Sequence, residues 1–382
     1  MNRKKTYEIF VLAILIMLLT VLDASIIDKL GEVADATISK IQKWNLSMHE
    51  AMWYEKLDEN QVQCHLCPWN CIIDEGRRGI CGVRANVDGK LVSLVYGKIA
   101  SLNIDPIEKK PIFHLMPGSR ALSVATVGCN LGCLFCQNWT LSQALPEESR
   151  HADLSPESLV QKAIETNSQS IAYTYSEPTI FYEYMYDAAK IAHDNGIKNI
   201  MVTCGYINEE PLRELCKYID AANVDLKGFS QDFYSEYTRA QLEPVKRTLK
   251  IMDEEGVMVE VTNLIVPGAN DSPEEIRVLC EFVHDSLGAD TPLHFSRFHP
   301  NYKLKDRPPT PASKLNQAYE IAKETGLEYV YIGNMHGAGG ENTICPSCGK
   351  TIIKRRGYMI LEKKITDGKC DFCGHEQHGI WK

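Results

Sequence analysis

Residues 121–136 read ALSVATVGCNLGCLFC, an apolar run that leads directly into three cysteines. Cys129, Cys133 and Cys136 have the spacing C-x3-C-x2-C, and no fourth cysteine follows at a matching spacing. A structural metal site normally has four protein ligands. A cubane iron–sulfur cluster held by three thiolates instead leaves one iron open to a substrate or cofactor. The spacing therefore predicts a cluster that does chemistry; the alternative is a zinc loop that borrows a distant fourth ligand.

The apolar run is the first of six candidate strands in a repeating pattern of strands and helices. Two of the intervening helices have clear start signals, Ser155-Pro156 and Ser272-Pro273, in which a capping serine precedes a proline. Such alternation predicts an α/β fold with a parallel sheet, and six units suit an incomplete barrel. Barrel chemistry lies at the carboxyl ends of the strands, where the triplet also lies. The candidate strands are residues 121–127, 170–175, 199–203, 222–226, 257–266 and 293–298.

The triplet, with Phe135 just before its third cysteine, resembles the signature of the radical S-adenosylmethionine (SAM) enzymes. Three further stretches are similar to the branch that contains the glycyl-radical-activating enzymes: residues 105–111 (DPIEKKP), 173–178 (YTYSEP) and 225–227 (DLK). Within that branch, the sequence most resembles the radical SAM enzyme of the AmmeMemoRadiSam system. The resemblance covers roughly residues 60–375 and implies a partial (β/α)6 radical SAM barrel.

The resemblance also implies cofactors and their ligands. Cys129, Cys133 and Cys136 would hold a [4Fe-4S] cluster whose open iron is chelated by SAM, and reductive cleavage of SAM would yield a 5′-deoxyadenosyl radical. Where many relatives have Gly-Gly-Glu, this chain has Ser176-Glu177-Pro178, and Cys204 replaces an asparagine that is common in relatives. The predicted cofactor-binding residues are Phe135, Ser176, Glu177, Pro178, Thr203, Gly205, Asp225, Lys227, His294 and His299.

Several of these residues also have a plain structural interpretation. Phe135 suits core packing, and Glu177 suits a solvated carboxylate at a strand end. Asp225 and Lys227 are two residues apart on one strand, so they share a face and are candidates for an ion pair. A lone histidine such as His294 is more often structural than catalytic, although the polar and aromatic groups around it at the barrel mouth favour substrate contact.

A second group of cysteines precedes the barrel. Cys64, Cys67, Cys71 and Cys81 lie within one short module, residues 61–118, that is rich in glycine. Clustered Cys-x2-Cys pairs indicate metal binding in a reducing compartment rather than a disulfide framework. Four thiolates suit zinc and equally suit a second iron–sulfur cluster. The spacing leaves both metals open.

The predicted barrel, residues 119–338, is followed by a compact tail, residues 339–382. In this tail Cys345-x2-Cys348 and Cys370-x2-Cys373 form two matching knuckles, each followed by glycine. This arrangement predicts a zinc ribbon. Many zinc ribbons bind nucleic acid, but the chain has a net charge of −9 and the tail has only a small excess of basic residues. General binding to nucleic acid needs a basic surface, so the tail is predicted to be structural.

The N-terminus carries an apolar run at residues 9–22, after the basic residues Arg3, Lys4 and Lys5. A membrane anchor over residues 1–28 is the main prediction, with a signal peptide and an interfacial helix as alternatives. The positive-inside rule would keep the basic residues in the cytoplasm and place the catalytic part outside the cell. SAM and an oxygen-sensitive cluster, however, require the cytoplasm. We therefore predict the cytoplasmic side of the cell membrane, with a cytoplasmic protein as the alternative. Residues 29–60 are predicted to be an amphipathic linker helix.

These features together predict a membrane-tethered radical SAM enzyme that abstracts hydrogen from an unidentified small molecule or protein. The alternatives are an enzyme that installs a glycyl radical on a partner, and a membrane-associated iron–sulfur and zinc scaffold or electron carrier. The expected partners are a one-electron donor of the flavodoxin or ferredoxin type, a Memo-like protein and a glycyl-radical enzyme. No nucleic-acid partner is expected.

Overall fold

The structure is a computed structural model that describes residue 39, residues 41–335 and residues 340–382. The predicted anchor at residues 1–28 lies outside these described residues. Among the described residues, no helix has both the length and the apolar character needed to cross a membrane.

Residues 39 and 41–43 of the predicted linker helix over residues 29–60 are helical, but the described part after residue 45 forms short strands and a 3-10 turn, so the prediction of one continuous helix is wrong there. A helical turn at residues 41–43 ends at Asn45, which has a left-handed φ of 50°. The backbone N–H of Leu46 donates to the carbonyl of Ile41 at 2.9 Å, which is the bond that closes a helix with a left-handed C-terminal residue. The chain then enters short strands. Helical spacing of apolar residues predicted the wrong element because this capping turn interrupts it.

Strands and helices follow one another along the described part of the chain. The strands are β1 (His49–Glu50), β2 (Tyr54–Lys56), β3 (Val62–Cys64), β4 (Ile72–Ile73), β5 (Arg84–Val87), β6 (Lys90–Ser93), β7 (Lys98–Ile99), β8 (Ser101–Pro106), β9 (Arg120–Ala125), β10 (Ala152–Asp153), β11 (Ser170–Tyr173), β12 (Lys198–Thr203), β13 (Ala221–Asp225), β14 (Met258–Ile265), β15 (Leu293–Arg297), β16 (Val330–Gly333), β17 (Thr343–Ile344), β18 (Thr351–Arg356), β19 (Met359–Lys363), β20 (Ile365–Thr366) and β21 (Lys369–Cys370). The α-helices are Trp139–Ser142, Pro156–Glu165, Tyr182–Asp194, Glu209–Cys216, Gln231–Phe233, Leu242–Glu254, Pro273–Leu287 and Ala312–Glu324, with a π-helix at Tyr234–Thr238.

The main sheet has eight strands in the order β16-β15-β14-β13-β12-β11-β9-β8. Its strands from β9 to β16 are parallel, and β8 pairs antiparallel with β9. The six predicted strands are all present, and β16 adds a seventh parallel strand. No pairing joins β8 to β16 in the part of the chain that the structure describes, so the sheet is open rather than a closed barrel.

The helix starts agree with the sequence signals. The hydroxyl of Ser155 accepts a hydrogen bond from the N–H of Ser158, and the hydroxyl of Ser272 accepts one from the N–H of Glu275. Both helices have proline in their first turn, where its missing N–H leaves no carbonyl unpaired. These caps begin the helices at the residues that the sequence predicted.

The module before the barrel packs into the same apolar core as the barrel. A buried ion pair ties the two together: Arg84 donates to both oxygens of Glu183, at 2.9 and 3.1 Å. The tail is attached to the last strand of the main sheet, where the hydroxyls of Tyr331 in β16 and Thr343 in the tail lie 3.0 Å apart. Both small cysteine-bearing units are therefore fixed against the barrel.

Candidate functional site

The cysteine triplet lies in a loop that leaves the carboxyl end of β9, as the sequence predicted. The loop is held by backbone bonds, because the N–H groups of Gly132 and Leu134 donate to the carbonyls of Thr238 and Tyr237, each at 2.9 Å. Those carbonyls belong to the π-helix Tyr234–Thr238, a rare element that often occurs at functional sites. Cys133 is buried, while the other two cysteines of the triplet are half-buried.

Burial sets the protonation of the free thiols. A hydrogen bond from the Cys129 thiol to Cys204, together with burial, raises the pKa of Cys129 well above its usual value. Burial also raises the pKa of Cys133, and Lys227 opposes this shift only in part. Thiols that stay protonated at neutral pH would lose their protons on binding a metal, so metal binding here would release protons. Three soft donors on one loop, held in place by backbone hydrogen bonds, fit an iron–sulfur cluster.

A cavity of about 500 Å³ lies beside the triplet. Of the predicted cofactor-binding residues, Phe135, Ser176, Glu177, Thr203, Asp225, Lys227 and His294 line it. Pro178, Gly205 and His299 do not line it: Pro178 and Gly205 are buried behind the wall, and His299 is exposed. The C-terminal tail also reaches this cavity, through Tyr358.

The carboxylate of Glu177 is buried and fully hydrogen-bonded within the protein. One oxygen accepts from the hydroxyl of Thr203 at 2.6 Å and from the hydroxyl of Thr179 at 2.7 Å. The other oxygen accepts from the backbone N–H of Cys204 at 2.7 Å. Glu177 therefore joins the ends of β11 and β12, rather than being the solvated carboxylate of the structural interpretation.

Asp225 and Lys227 form the ion pair that their spacing suggested, with 3.0 Å between the ammonium and the carboxylate. Burial alone would lower the pKa of Lys227, but the carboxylate of Asp225 raises it well above its usual value. Lys227 also lies 5.9 Å from the centre of the Phe135 ring. The ammonium of Lys227 therefore stays charged at the side of the triplet, with the carboxylate of Asp225 as its counter-charge.

His294 lines the cavity, but its ring is committed to a buried network. Its Nε2 lies 2.6 Å from the carboxylate of Glu260, which also accepts from the backbone N–H groups of Phe113 and His114. Burial would raise the pKa of Glu260, but His294 lowers it below its usual value. His294 therefore has a structural partner, the buried carboxylate of Glu260.

Lys110 is a charged residue in the cavity wall that was not predicted as a site residue. Lys110 is 1% exposed, and its ammonium lies 2.6 Å from the carboxylate of Asp105. Tyr175 donates to the same carboxylate, and Lys110 lies 4.4 Å from the centre of the Tyr175 ring. Burial lowers the pKa of Lys110 to about 8, although Asp105 opposes this shift. The stretch DPIEKKP was the available signal, but its spacing does not reveal which lysine is buried.

The four tail cysteines have the geometry of a single-ion site. The Sγ atoms of Cys345 and Cys373 are 3.7 Å apart, and those of Cys348 and Cys370 are 3.8 Å apart. A tetrahedral zinc with bonds of about 2.3 Å places its sulfur ligands roughly 3.8 Å apart. The four cysteines before the barrel are arranged differently, since they line a separate cavity.

Comparisons with known proteins agree with this architecture. The family model of the Radical SAM superfamily matches residues 123–283. The chain is 51% identical over 331 residues to uncharacterized protein MJ0808 of Methanocaldococcus jannaschii, covering 86% of this chain and 98% of that protein. It is 25% identical over 209 residues to the pyruvate formate-lyase-activating enzyme of Clostridium pasteurianum, covering 50% of this chain and 84% of that enzyme.

A solved domain of a pyruvate-formate lyase-activating enzyme from Bacteroides vulgatus matches with a TM-score of 0.39 and 16% identity, covering 43% of this chain and 99% of that domain. The chain belongs to the radical SAM superfamily. Within it, the chain is similar to the glycyl-radical-activating enzymes. It is therefore an enzyme, which disfavours the alternative of a scaffold or electron carrier, and its family implies a [4Fe-4S] cluster and SAM.

Proposed function

We propose that the chain abstracts a hydrogen atom from a substrate bound in the cavity of about 500 Å³ beside the triplet. The observation that carries this proposal is that Cys129, Cys133 and Cys136 line this cavity from one rigid loop that contains no fourth cysteine. In this proposal the three thiolates hold a [4Fe-4S] cluster, which together with bound SAM supplies a 5′-deoxyadenosyl radical.

The chain's own residues would bind and orient SAM. Lys227, held by Asp225, offers a positive charge for the carboxylate of SAM, and Phe135 offers an aromatic face for its adenine. Glu177 would act through position, because its hydrogen bond to the N–H of Cys204 fixes the strand ends that border the cavity. These roles are supported by the lining of the cavity and by the family resemblance.

Activation of a glycyl-radical enzyme is the second candidate function. It is supported by the similarity to pyruvate formate-lyase-activating enzyme over 84% of that enzyme's length and by the similarity to 4-hydroxyphenylacetate decarboxylase activating enzyme. A one-electron donor of the flavodoxin or ferredoxin type is required by either function. A Memo-like partner rests on the sequence resemblance to the AmmeMemoRadiSam system.

Two further proposals concern the ends of the chain. The tail cysteines Cys345, Cys348, Cys370 and Cys373 would bind one zinc ion, as their sulfur spacing suggests. Residues 1–28 would tether the enzyme to the cytoplasmic face of the membrane. A pair of C-terminal fusions tests the tether: a phosphatase that is active only outside the cell should stay inactive, and phosphatase activity would refute this topology.

The proposed chemistry is tested by SAM cleavage in anaerobically reconstituted protein with dithionite. Wild-type protein should release 5′-deoxyadenosine, detected by mass spectrometry, and Cys133→Ala should abolish the release. Cys280→Ala is the matched control, because Cys280 is buried in the core away from the cavity and its loss should leave cleavage intact. Equal release from Cys133→Ala and wild type would refute the assignment of the triplet.

A further inference from the structure

The four cysteines before the barrel line one cavity, but their sulfur atoms do not converge on a point. The cavity has a volume of about 20 Å³, measured as the space open to the centre of a water molecule. Its lining includes Cys64, Cys67, Cys71 and Cys81. A single water needs roughly 10–15 Å³ by this measure. Sulfur ligands that bind one zinc ion at about 2.3 Å leave no room for a water between them, so this cavity is wider than a closed zinc site.

The tail cysteines show how closely the ligands of a single-ion site lie in this chain. Among the described residues, the tail cysteines are the only group of three or more His, Cys, Asp or Glu whose ligand atoms all lie within 4.8 Å of one another. The triplet at residues 129–136 does not form such a group, and neither do the four cysteines at residues 64–81. In a cubane each thiolate binds a different iron, so its sulfur ligands are farther apart than those of one zinc ion. The module therefore resembles the triplet and not the tail.

The two cysteine sites share a wall. Asn130, which follows the first cysteine of the triplet, lines the cavity of the module, and the indole N–H of Trp69 donates to its carbonyl at 2.7 Å. Gly128 lies so close to the module that an added Cβ would stand 3.0 Å from the carbonyl oxygen of Cys81. Electron transfer falls steeply with distance, so this contact suits exchange between the two sites.

The module also reaches the protein surface. Ile80, which lines the same cavity beside Cys81, is 60% exposed, and Ile72 beside Cys71 is 61% exposed. An electron donor can therefore approach the module without entering the cavity where the substrate is proposed to bind. A structural zinc site would require neither this exposure nor contact with the triplet loop.

We propose that Cys64, Cys67, Cys71 and Cys81 hold a second four-iron cluster, through which electrons enter the enzyme. One electron from a reduced flavodoxin or ferredoxin reduces this cluster, and the cluster then returns to its oxidised state by passing that electron to the cluster at Cys129, Cys133 and Cys136. No bond is made or broken at the module. The cluster assignment is independent of the proposed function, whereas the electron-transfer role depends on it.

The metal is tested in the full-length triple variant Cys129→Ala, Cys133→Ala, Cys136→Ala, reconstituted anaerobically. This variant should retain about four irons per chain and give the electron paramagnetic resonance signal of a reduced cubane, with wild type containing about eight irons. One zinc beyond that of the tail, with no iron, would overturn the proposal. This result does not depend on whether SAM is cleaved.

The role in electron transfer is tested with Cys81→Ser, which should contain about four irons per chain. With dithionite, 5′-deoxyadenosine formation should remain within about twofold of wild type, but with reduced flavodoxin it should fall at least about tenfold. Cys280→Ser is the control that should lose neither activity. Equal flavodoxin-driven rates in Cys81→Ser and wild type would overturn the electron-transfer role. If wild type itself forms no 5′-deoxyadenosine, the proposed function fails while the iron content still decides the cluster.

Discussion

The ammonium of Lys110 lies 2.6 Å from the carboxylate of Asp105; both residues are buried, and Lys110 lines the cavity beside the triplet. Asp105 also accepts hydrogen bonds from Lys109 and Tyr175, so one carboxylate organises three donors. Burial alone would raise the pKa of Asp105, but these donors hold it well below its usual value. The carboxylate therefore stays ionised, and Lys110 depends on it.

Asp105→Asn should destabilise the protein by roughly 3 kcal/mol, because it leaves the buried ammonium of Lys110 without its counter-charge. Urea unfolding measures the change. The control is Glu324→Gln, which breaks the exposed ion pair of Glu324 with Arg277 and should leave the stability nearly unchanged. A similar small change for both variants would show that the Asp105 carboxylate does not stabilise the fold.

The same pair predicts a pH dependence of stability. Burial lowers the pKa of Lys110 to about 8, below its ordinary value of 10.5, so folded protein loses this proton before unfolded protein does. The unfolded state therefore binds more protons between these two pH values, and the contribution of Lys110 to the unfolding free energy rises with pH in this window. Lys110→Met should remove that part of the slope in unfolding measured from pH 7 to 10.5. An unchanged slope contradicts the predicted pKa.

Glu177→Gln should lower the unfolding free energy by about 1–3 kcal/mol, because the new amide N–H₂ faces either the N–H of Cys204 or the donors on Thr179 and Thr203. Since Glu177 is proposed to act through position, the Michaelis constant for SAM should also rise. Thermal melting and SAM titration separate the two effects. An unfolding free energy equal to that of wild type would show that the hydrogen bonds of Glu177 do not hold the strand ends in place.

The tail should contain one zinc ion per chain, bound by four thiolates. Cys345→Ala should lose that zinc and melt at a lower temperature, because metal binding supplies much of the folding free energy of small zinc units. Cys216→Ala is the control, since this buried cysteine lies away from the tail. Elemental analysis that finds the same zinc content in Cys345→Ala and wild type would contradict the assignment.

The sequence predicted the parts of the fold that depend on local pattern. The triplet follows β9 as expected, and the serine caps begin their helices where the sequence placed them. The strand β16, Val330–Gly333, was not predicted. The linker helix was wrong because the left-handed turn at Asn45 is a local backbone event that apolar spacing does not report.

The candidate site was predicted less completely, for a physical reason. Spacing identified the cysteine groups, but the distance between their sulfur atoms depends on tertiary packing, and only that distance separates the compact tail from the open module. Likewise, Lys109 and Lys110 are neighbours in sequence, yet only Lys110 is buried. Long-range contacts of this kind leave no signature in the local sequence.

The central claim is that the cluster at Cys129, Cys133 and Cys136 has an iron that SAM can reach. Electron paramagnetic resonance of dithionite-reduced wild-type protein, recorded with and without SAM, tests it most directly. SAM should change the spectrum of one cluster, and the triple variant Cys129→Ala, Cys133→Ala, Cys136→Ala should give a spectrum that does not respond to SAM. A wild-type spectrum that is identical with and without saturating SAM would contradict the claim.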